Sequence, residues 1–343
     1  MAYQATQHLA PSSLVPHLRR ATAIPQLPQQ GVLPLIPPPR TVGRPDPDAA
    51  AVRCRNDVEY HELGIREILN RCDAPHLPFT WTINPYRGCE FGCTYCYARY
   101  THSFFDLNRW QDFENRIFVK QGAAASLRRR LRRSDLRGQP IAIGTATDPY
   151  QPAEKHFGVT RSLLEVFGQF EGLDLSITTK SPLILRDLDL LTELDKRHAI
   201  HAHITITTVD PTLARRIEQH APDPRARLRT VEKLAKEGIA TTVFCMPVMP
   251  GINDGEDQLR PLLQAARDAG AVDVQASPLF LKSLPKTRFM PWLAQEFPQL
   301  MSHYRRLYGW REHLTASQKE ILLATFRRLR LACGFPRAMT GRG

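Results

Sequence analysis

The chain has 343 residues, enough to bury a full-sized core in one large α/β domain or in two smaller ones. Its formal net charge of +12 suits a partner rich in phosphate, although arginine far outnumbers lysine, a bias that genome base composition also produces. No run of about eighteen apolar residues occurs, and no charged start followed by an apolar segment, so we expect neither a membrane span nor secretion.

Two segments precede the main repeating pattern. Residues 1–50 contain ten prolines and few aromatic residues, so they offer little apolar surface to offset the entropy lost on ordering. This composition predicts a disordered, Pro-rich N-terminal arm. Residues 51–78 contain an amphipathic pattern over 62–71, which predicts an N-terminal helical segment that packs under the following domain.

From residue 78 onward, strand-like runs alternate with helical stretches, the pattern of βα units in a parallel sheet. The predicted strands are 79–84, 141–146, 173–179, 202–208, 241–246 and 272–276. The predicted helices between them lie around 95–104, 122–133, 160–170, 186–197, 224–237 and 256–269. Six units, where a closed barrel has eight, predict an α/β partial barrel over 79–280. Two further helices, about 296–308 and 315–332, predict a helical C-terminal extension over 281–343.

Three cysteines follow the first predicted strand. Cys89, Cys93 and Cys96 have the spacing C-x3-C-x2-C, with Tyr95 before the last thiol. Three thiolates hold a cubane iron–sulfur cluster one ligand short, which leaves one iron free for a molecule that is not protein. A zinc site is an alternative, because His102 follows at a distance that would complete a tetrahedron. A disulfide is disfavoured, since the thiols are too close to close a useful loop.

Four other cysteines are scattered through the chain, and none of them forms a C-x2-C pair. They are Cys54, Cys72, Cys245 and Cys333. We therefore expect no auxiliary cluster. An odd number of cysteines without an export signal predicts reduced thiols and a cytoplasmic protein.

The cysteine motif and its flanks, Asn-Pro-Tyr-Arg-Gly-Cys before it and Cys-Tyr-Ala-Arg at its end, resemble the radical S-adenosylmethionine (radical SAM) superfamily. Within it, they are most similar to the branch related to spore photoproduct lyase. The resemblance implies a partial (β/α)6 TIM barrel and a 4Fe–4S cluster on Cys89, Cys93 and Cys96. It further implies reductive cleavage of S-adenosylmethionine to a 5′-deoxyadenosyl radical, which takes hydrogen from a substrate.

The same resemblance implies partners. An external electron donor of the flavodoxin or ferredoxin type would reduce the cluster. The chemistry would be lyase-like, and the substrate is not specified, with nucleic acid as one candidate.

The resemblance also suggests which side chains meet S-adenosylmethionine at the carboxyl ends of the strands. Tyr95 would lie near the adenine. Thr147 and Asp148, after the second strand, match the position that meets the methionine amino group. Lys180, with Ser181 beside it, follows the third strand and is placed to pair with the methionine carboxylate.

Two later strand ends complete the expected cofactor site. Thr205 and Thr207, at the end of the fourth strand, offer hydroxyls for the ribose. Gly251 lies in a loop after the fifth strand that resembles the loop that accommodates adenine through backbone contacts.

The hydrogen donor is where the sequence departs from spore photoproduct lyase. That family uses a further cysteine near the end of the second strand, and the corresponding position here is Thr145. A hydroxyl gives up a hydrogen atom far less readily than a thiol. Cys245, on the fifth predicted strand, is the alternative donor, and Tyr97 is a candidate radical carrier.

A second hypothesis belongs to a different class. The same cysteines would bind zinc in a non-catalytic, nucleic-acid binding protein, beside the arginine-rich helix 122–133. For that helix the sequence leaves two interpretations open, a solvated face and a phosphate-binding patch.

Overall fold

The computed structural model describes residues 51–55, 57–74 and 77–336. The predicted N-terminal arm, 1–50, lies outside these residues. The strands are β1 (Arg53–Arg55), β2 (Val58–Gly64), β3 (Leu69–Arg71), β4 (Trp81–Ile83), β5 (Tyr86–Arg87), β6 (Arg116–Gln121), β7 (Pro140–Ile143), β8 (Asp174–Thr179), β9 (Ala199–Thr205), β10 (Ala240–Val248) and β11 (Asp273–Pro278).

The α-helices are α1 (Asp112–Asn115), α2 (Ala123–Arg133), α3 (Glu154–Phe157), α4 (Val159–Phe167), α5 (Leu188–Asp195), α6 (Pro211–Ile217), α7 (Pro224–Lys236), α8 (Glu256–Asp268), α9 (Ser283–Glu296), α10 (Met301–Tyr308) and α11 (Ala316–Ala332). Segments of 3-10 helix cover Tyr97–Phe105, Pro182–Asp187 and Pro298–Leu300.

The main sheet has the strand order β11-β10-β9-β8-β7-β4-β3. Six strands, β4 and β7 to β11, run parallel and follow chain order, and β3 joins one edge antiparallel. The register runs continuously across the sheet, with Trp81 opposite Ile141, Ile141 opposite Leu175, and Leu175 opposite Ile200. The six predicted βα units and the α/β partial-barrel fold are therefore confirmed. Their carboxyl ends all meet at one end of the sheet.

The two faces of the sheet differ in polarity. One face carries branched apolar side chains that pack with the helices into a single buried core; examples are Ile143, Ile177, Ile204 and Val243 from strands and Leu163 and Val231 from helices. Burying one such side chain contributes about 1.5–3 kcal/mol. The opposite face carries polar residues such as His201 and His203. Because the apolar face of each strand is buried against the helices, only the opposite, polar face is available to line a functional site.

The predicted helical segment within 51–78 is wrong. Residues 62–71 form parts of β2 and β3, not a helix. β2 pairs parallel with β6, and β3 pairs antiparallel with β4, so both strands depend on partners that local periodicity does not reveal. A second sheet results, with the order β1-β2-β6-β5. It joins this segment to the strands that flank the cysteine loop.

The chain after β11 is helical, as predicted. α11 begins at a capping box in which Thr315 and Gln318 bond each other's backbone, and it packs on α8 and β11. α9 packs against the helix Tyr97–Phe105. In the part of the chain that the structure describes, no helix is long and apolar enough to cross a membrane.

Candidate active site

The cysteine loop follows β4 and β5 at the carboxyl end of the sheet. Cys89, Cys93 and Cys96 are free thiols. Gly88 has φ +84°, and a Cβ there would lie 2.8 Å from the Arg116 carbonyl oxygen. Only glycine therefore lets the chain enter the loop at this angle and this close to β6. The Cys89 amide completes the turn by donating to the Phe113 carbonyl at 2.9 Å.

The end of β7 is bonded directly to this loop. The Thr147 hydroxyl donates to the Gly88 carbonyl at 2.6 Å, and the Gln151 amide donates to the same oxygen at 3.0 Å. Gln151 also accepts from the Glu90 backbone amide at 3.1 Å. Two predicted neighbours, the cysteine loop and Thr147, are thus brought together. Thr147 uses its hydroxyl hydrogen to position the loop.

Asp148 connects the ends of β7 and β8. Its carboxylate accepts from the Thr179 hydroxyl at 2.6 Å, from the Lys180 amide at 2.8 Å and from the Tyr150 amide at 2.9 Å. Burial raises its pKa, and these hydrogen bonds oppose that effect. Burial raises the pKa of the Cys89 thiol, and the nearby Asp148 carboxylate raises that pKa further.

Lys180 points its ammonium toward the cysteine loop. Nζ lies 5.8 Å from the centre of the Tyr95 ring and makes no hydrogen bond or ion pair with another described residue. Burial lowers its pKa, but the Cys93 thiolate and the Glu218 carboxylate outweigh burial, and the net pKa is raised. Lys180 is therefore a cation beside the thiols with its donors still free.

Two other predicted cofactor residues have local structural partners. The Ser181 hydroxyl accepts from the Leu183 amide at 3.2 Å and caps the 3-10 helix that follows. Gly251 is exposed, has φ +73°, and donates its amide to Asp254 at 2.8 Å. Each contact shapes the turn after a strand.

A buried ion pair lies beneath the cysteine loop. Glu218 and Arg227 are each 1% exposed, and the carboxylate meets the guanidinium at 2.5 Å. Glu218 also accepts from the Tyr95 and Thr207 hydroxyls, the latter at 2.9 Å. Its backbone forms an isolated β-bridge with Cys93. Glu218 thus links Thr207, just after β9, to Tyr95 and Cys93 on the cysteine loop.

Arg227 extends this network to the end of β9. It donates to the Thr205 carbonyl at 3.1 Å and to the Pro222 carbonyl at 2.8 Å. Burial raises the pKa of Glu218, but Arg227 and Lys180 outweigh burial and hold that pKa below its usual range.

The thiols sit among cations. Burial raises the pKa of Cys93 to about 12, against the lowering effect of Lys180. Burial likewise raises the pKa of Cys96, against Arg99 and Lys180. Arg99 is fully buried and donates to the Cys93 carbonyl at 2.7 Å. Fixed positive charge at these positions favours thiolates and a negatively charged group bound to them.

The donor set fits an iron–sulfur cluster. Three soft thiol ligands lie on one glycine-containing loop, and Gly92, with φ +62°, has a Cβ position only 2.9 Å from the His220 ring. His102, the fourth ligand of the zinc alternative, instead bonds the Arg116 carbonyl through Nε2 at 2.9 Å. Across the described ranges, no group of three or more His, Cys, Asp or Glu is arranged to hold a single metal ion.

Tyr97 and Cys245 have different surroundings. The Tyr97 hydroxyl donates to the Thr145 carbonyl, and its ring packs on Phe280 at 6.2 Å. Cys245 is fully buried in the apolar core shared with the helices, and burial alone raises its pKa to about 12. The structure does not bring Cys245 to the cysteine loop, because the alternation along β10 turns it to the helix side. The role of Cys245 as hydrogen donor stays a prediction.

The polar face of the sheet holds a group that the sequence reasoning missed. The His203 ring stacks on Phe244 at 4.3 Å, and Nδ1 lies 3.5 Å from the Thr178 hydroxyl. Burial lowers the pKa of His203 to about 3, so its imidazole is neutral at physiological pH. This face is a polar wall that leads toward the cysteine end of the sheet.

The arginine-rich helix is confirmed as α2, but it lies at the other end of the strands. A cavity of about 560 Å³ opens there, lined by Arg132, Arg133, Arg137, Arg197 and Asp135 among others. These residues precede β7, β8 and β9, whereas the cysteines follow β4. A six-residue strand spans roughly 20 Å. The arginines of α2 are therefore separated from the cysteine loop.

The sequence reasoning missed Glu218, Arg227, Gln151 and Arg99, and for Glu218 and Gln151 the reason is that their partners on the cysteine loop are distant in sequence. Tyr95 and Glu218, for example, are separated by 123 positions. Glu218 and Arg227 also lie away from the predicted strand ends, since Glu218 comes ten residues after the strand 202–208 and Arg227 is within the predicted helix 224–237.

Comparison with known proteins agrees with this geometry. The family model described as the Radical SAM superfamily matches residues 83–261. An uncharacterized protein of Mycobacterium tuberculosis is 37% identical over 266 residues, 77% of this chain and 78% of the relative. An uncharacterized protein of Methanocaldococcus jannaschii is 31% identical over 199 residues, 58% and 71% of the two chains. A spore photoproduct lyase variant with bound AdoMet and dinucleoside spore photoproduct has a similar fold, with TM-score 0.59, 15% identity and 82% of each chain covered.

Proposed function

Because this chain belongs to the radical SAM superfamily, we propose that it uses a 4Fe–4S cluster to cleave S-adenosylmethionine reductively, generating a 5′-deoxyadenosyl radical that takes hydrogen from a substrate. The observation that carries the proposal is the set of three free thiols on a loop shaped by positive-φ glycines and surrounded by cations. We assign Cys89, Cys93 and Cys96 as the cluster ligands. An external donor of the flavodoxin or ferredoxin type would supply the electron.

The protein's own residues would bind and orient S-adenosylmethionine. We assign Lys180 to the methionine carboxylate, because its ammonium has free donors and lies beside the thiols. Tyr95 is held by Glu218, which keeps its ring fixed at the loop. Thr147 and Asp148 hold the ends of β7 and β8 against the loop, with Asp148 retaining acceptor capacity for an amino group. Thr205, Thr207, Ser181 and Gly251 shape the remaining strand ends.

The proposed cleavage of S-adenosylmethionine is tested under anaerobic conditions. Protein reconstituted with iron and sulfide, reduced with dithionite and given S-adenosylmethionine should release 5′-deoxyadenosine and methionine. Protein that stays colourless, binds zinc and releases neither product would overturn the proposal and favour the zinc-binding alternative. Parallel reactions with and without irradiated DNA separate cofactor cleavage from lyase activity on a photoproduct.

Lys180→Ala should weaken S-adenosylmethionine binding by about 10- to 100-fold, the range expected for losing one hydrogen bond to a charged group. Iron and sulfide content should stay at the wild-type level, because Lys180 is not a ligand. Equilibrium binding to the reconstituted protein measures the effect. Lys196→Ala, which removes an exposed lysine paired with Glu193, is the matched control. Unchanged affinity in Lys180→Ala would remove this residue from the site.

A further inference from the structure

Lys120 is a buried lysine to which no described residue supplies a counter-ion. It lies on β6 and is 3% exposed, and its ammonium makes no hydrogen bond or ion pair with any residue the structure describes. Burial lowers its pKa well below the usual range, and the like charge of Arg87 lowers it further. Burial therefore disfavours the charged form of this side chain, and an anion bound beside it would restore that form. This position therefore calls for an anion.

Arg87 is the second cation at the same place. β5 pairs with β6 so that Arg87 stands opposite Phe118, two residues before Lys120 and on the same face. Arg87 is 7% exposed and donates to the Thr101 carbonyl at 3.2 Å. Its guanidinium lies 4.7 Å from the centre of the Phe105 ring. No carboxylate pairs with it among the described residues.

The acidic residues of the neighbouring elements are engaged elsewhere. On β2, Glu62 accepts from Gln121 at 2.8 Å, and Glu59 bonds His61 at 3.1 Å. Glu114, on α1, pairs with Arg99. None of these three carboxylates is therefore paired with Lys120 or Arg87.

The cation pair lies beside the cysteine loop. Arg87 is two residues before Cys89, and the helix Tyr97–Phe105, on which its guanidinium packs, begins directly after Cys96. The ammonium of Lys282 lies 4.4 Å from the centre of the Tyr100 ring on the same helix. Lys282 follows the last strand of the sheet. A third cation therefore borders the same region, between the first and last strands.

We propose that Arg87 and Lys120 form a binding site for a phosphate group of the substrate, with Lys282 at its edge. The guanidinium presents several donors in a planar fork and the ammonium adds a compact charge, a combination suited to phosphate. The inference deepens the proposed function, on which it rests for the assumption that this side of the loop receives substrate. It names the substrate class as a phosphate-containing molecule.

The test is equilibrium binding of inorganic phosphate to the cluster-loaded protein by calorimetry, at constant ionic strength set with chloride. We expect Lys120→Met to lose about 10- to 100-fold in phosphate affinity, the range for one hydrogen bond to a charged group. Without phosphate, Lys120→Met should melt at a higher temperature than wild type, because it replaces a buried amine that has no hydrogen-bond partner among the described residues. Lys196→Met, at an exposed lysine, should change neither quantity. Arg87→Gln serves as a second variant.

Additional binding measurements identify the kind of molecule that carries the phosphate. Tighter binding of a dinucleotide than of inorganic phosphate supports a nucleic-acid strand, and the reverse supports a small phosphorylated molecule. The proposal would be overturned if the wild-type protein failed to bind phosphate, or if Lys120→Met and Arg87→Gln bound phosphate as tightly as wild type. Binding of acetate as tightly as phosphate would also overturn it. None of these measurements uses a reductant or S-adenosylmethionine, so they are independent of whether the cleavage reaction succeeds.

Discussion

Cys93→Ala should abolish cluster assembly and, with it, formation of 5′-deoxyadenosine. Only the Cys89 and Cys96 thiolates remain in this variant, and two thiolates hold a cubane poorly. Cys93 is also the most enclosed of the three, at 8% exposure and bridged through its backbone to Glu218. Iron and sulfide analysis after anaerobic reconstitution measures assembly, and product chromatography measures cleavage.

Cys54→Ala is the control, because Cys54 is an exposed thiol on β1. It should retain wild-type iron, sulfide and product. A Cys93→Ala protein with a full complement of iron and undiminished cleavage would show that the three-thiol assignment is wrong. Circular dichroism of both variants separates loss of the cluster from loss of the fold.

Arg227→Met should lower the free energy of unfolding by about 3–5 kcal/mol, the usual cost of breaking a buried ion pair on one side. The variant leaves the Glu218 carboxylate 1% exposed without its guanidinium. Since Glu218 also accepts from Tyr95 and Thr207, the damage should reach the cysteine loop and reduce the cluster content. Urea titration followed by circular dichroism measures the stability.

The double variant Arg227→Met with Glu218→Gln tests the reason for that loss. It removes both charges, so it should recover part of the stability that the single variant loses. Arg215→Met, at an exposed arginine on α6, should stay within about 0.5 kcal/mol of wild type. A single variant as stable as the double variant would mean that the ion pair is not what holds this region.

The six parallel strands were predictable because each is a short apolar run followed by a helix, and a two-residue period marks such strands locally. β2 and β6 were not, since each gains its apolar partners from the other, more than fifty residues away. The expectation that functional side chains lie at the carboxyl ends of the parallel strands also placed Thr147, Asp148 and Lys180 beside the cysteine loop. That expectation does not distinguish Lys180, whose ammonium is free to donate, from Ser181, whose hydroxyl caps a helix. Nor does it give the face on which Cys245 lies.

The way the partial barrel is closed has an energetic consequence. β11 and β3 are the two edges of the main sheet and do not pair with each other in the described residues. The chain after β11 contacts the helix Tyr97–Phe105 through side chains that include Tyr97 on Phe280 and Lys282 on Tyr100, and through α9. Parting such a seam breaks ring contacts worth about 1 kcal/mol each and no strand ladder. Separating these two edges would therefore disrupt side-chain packing but no backbone hydrogen bonds between strands.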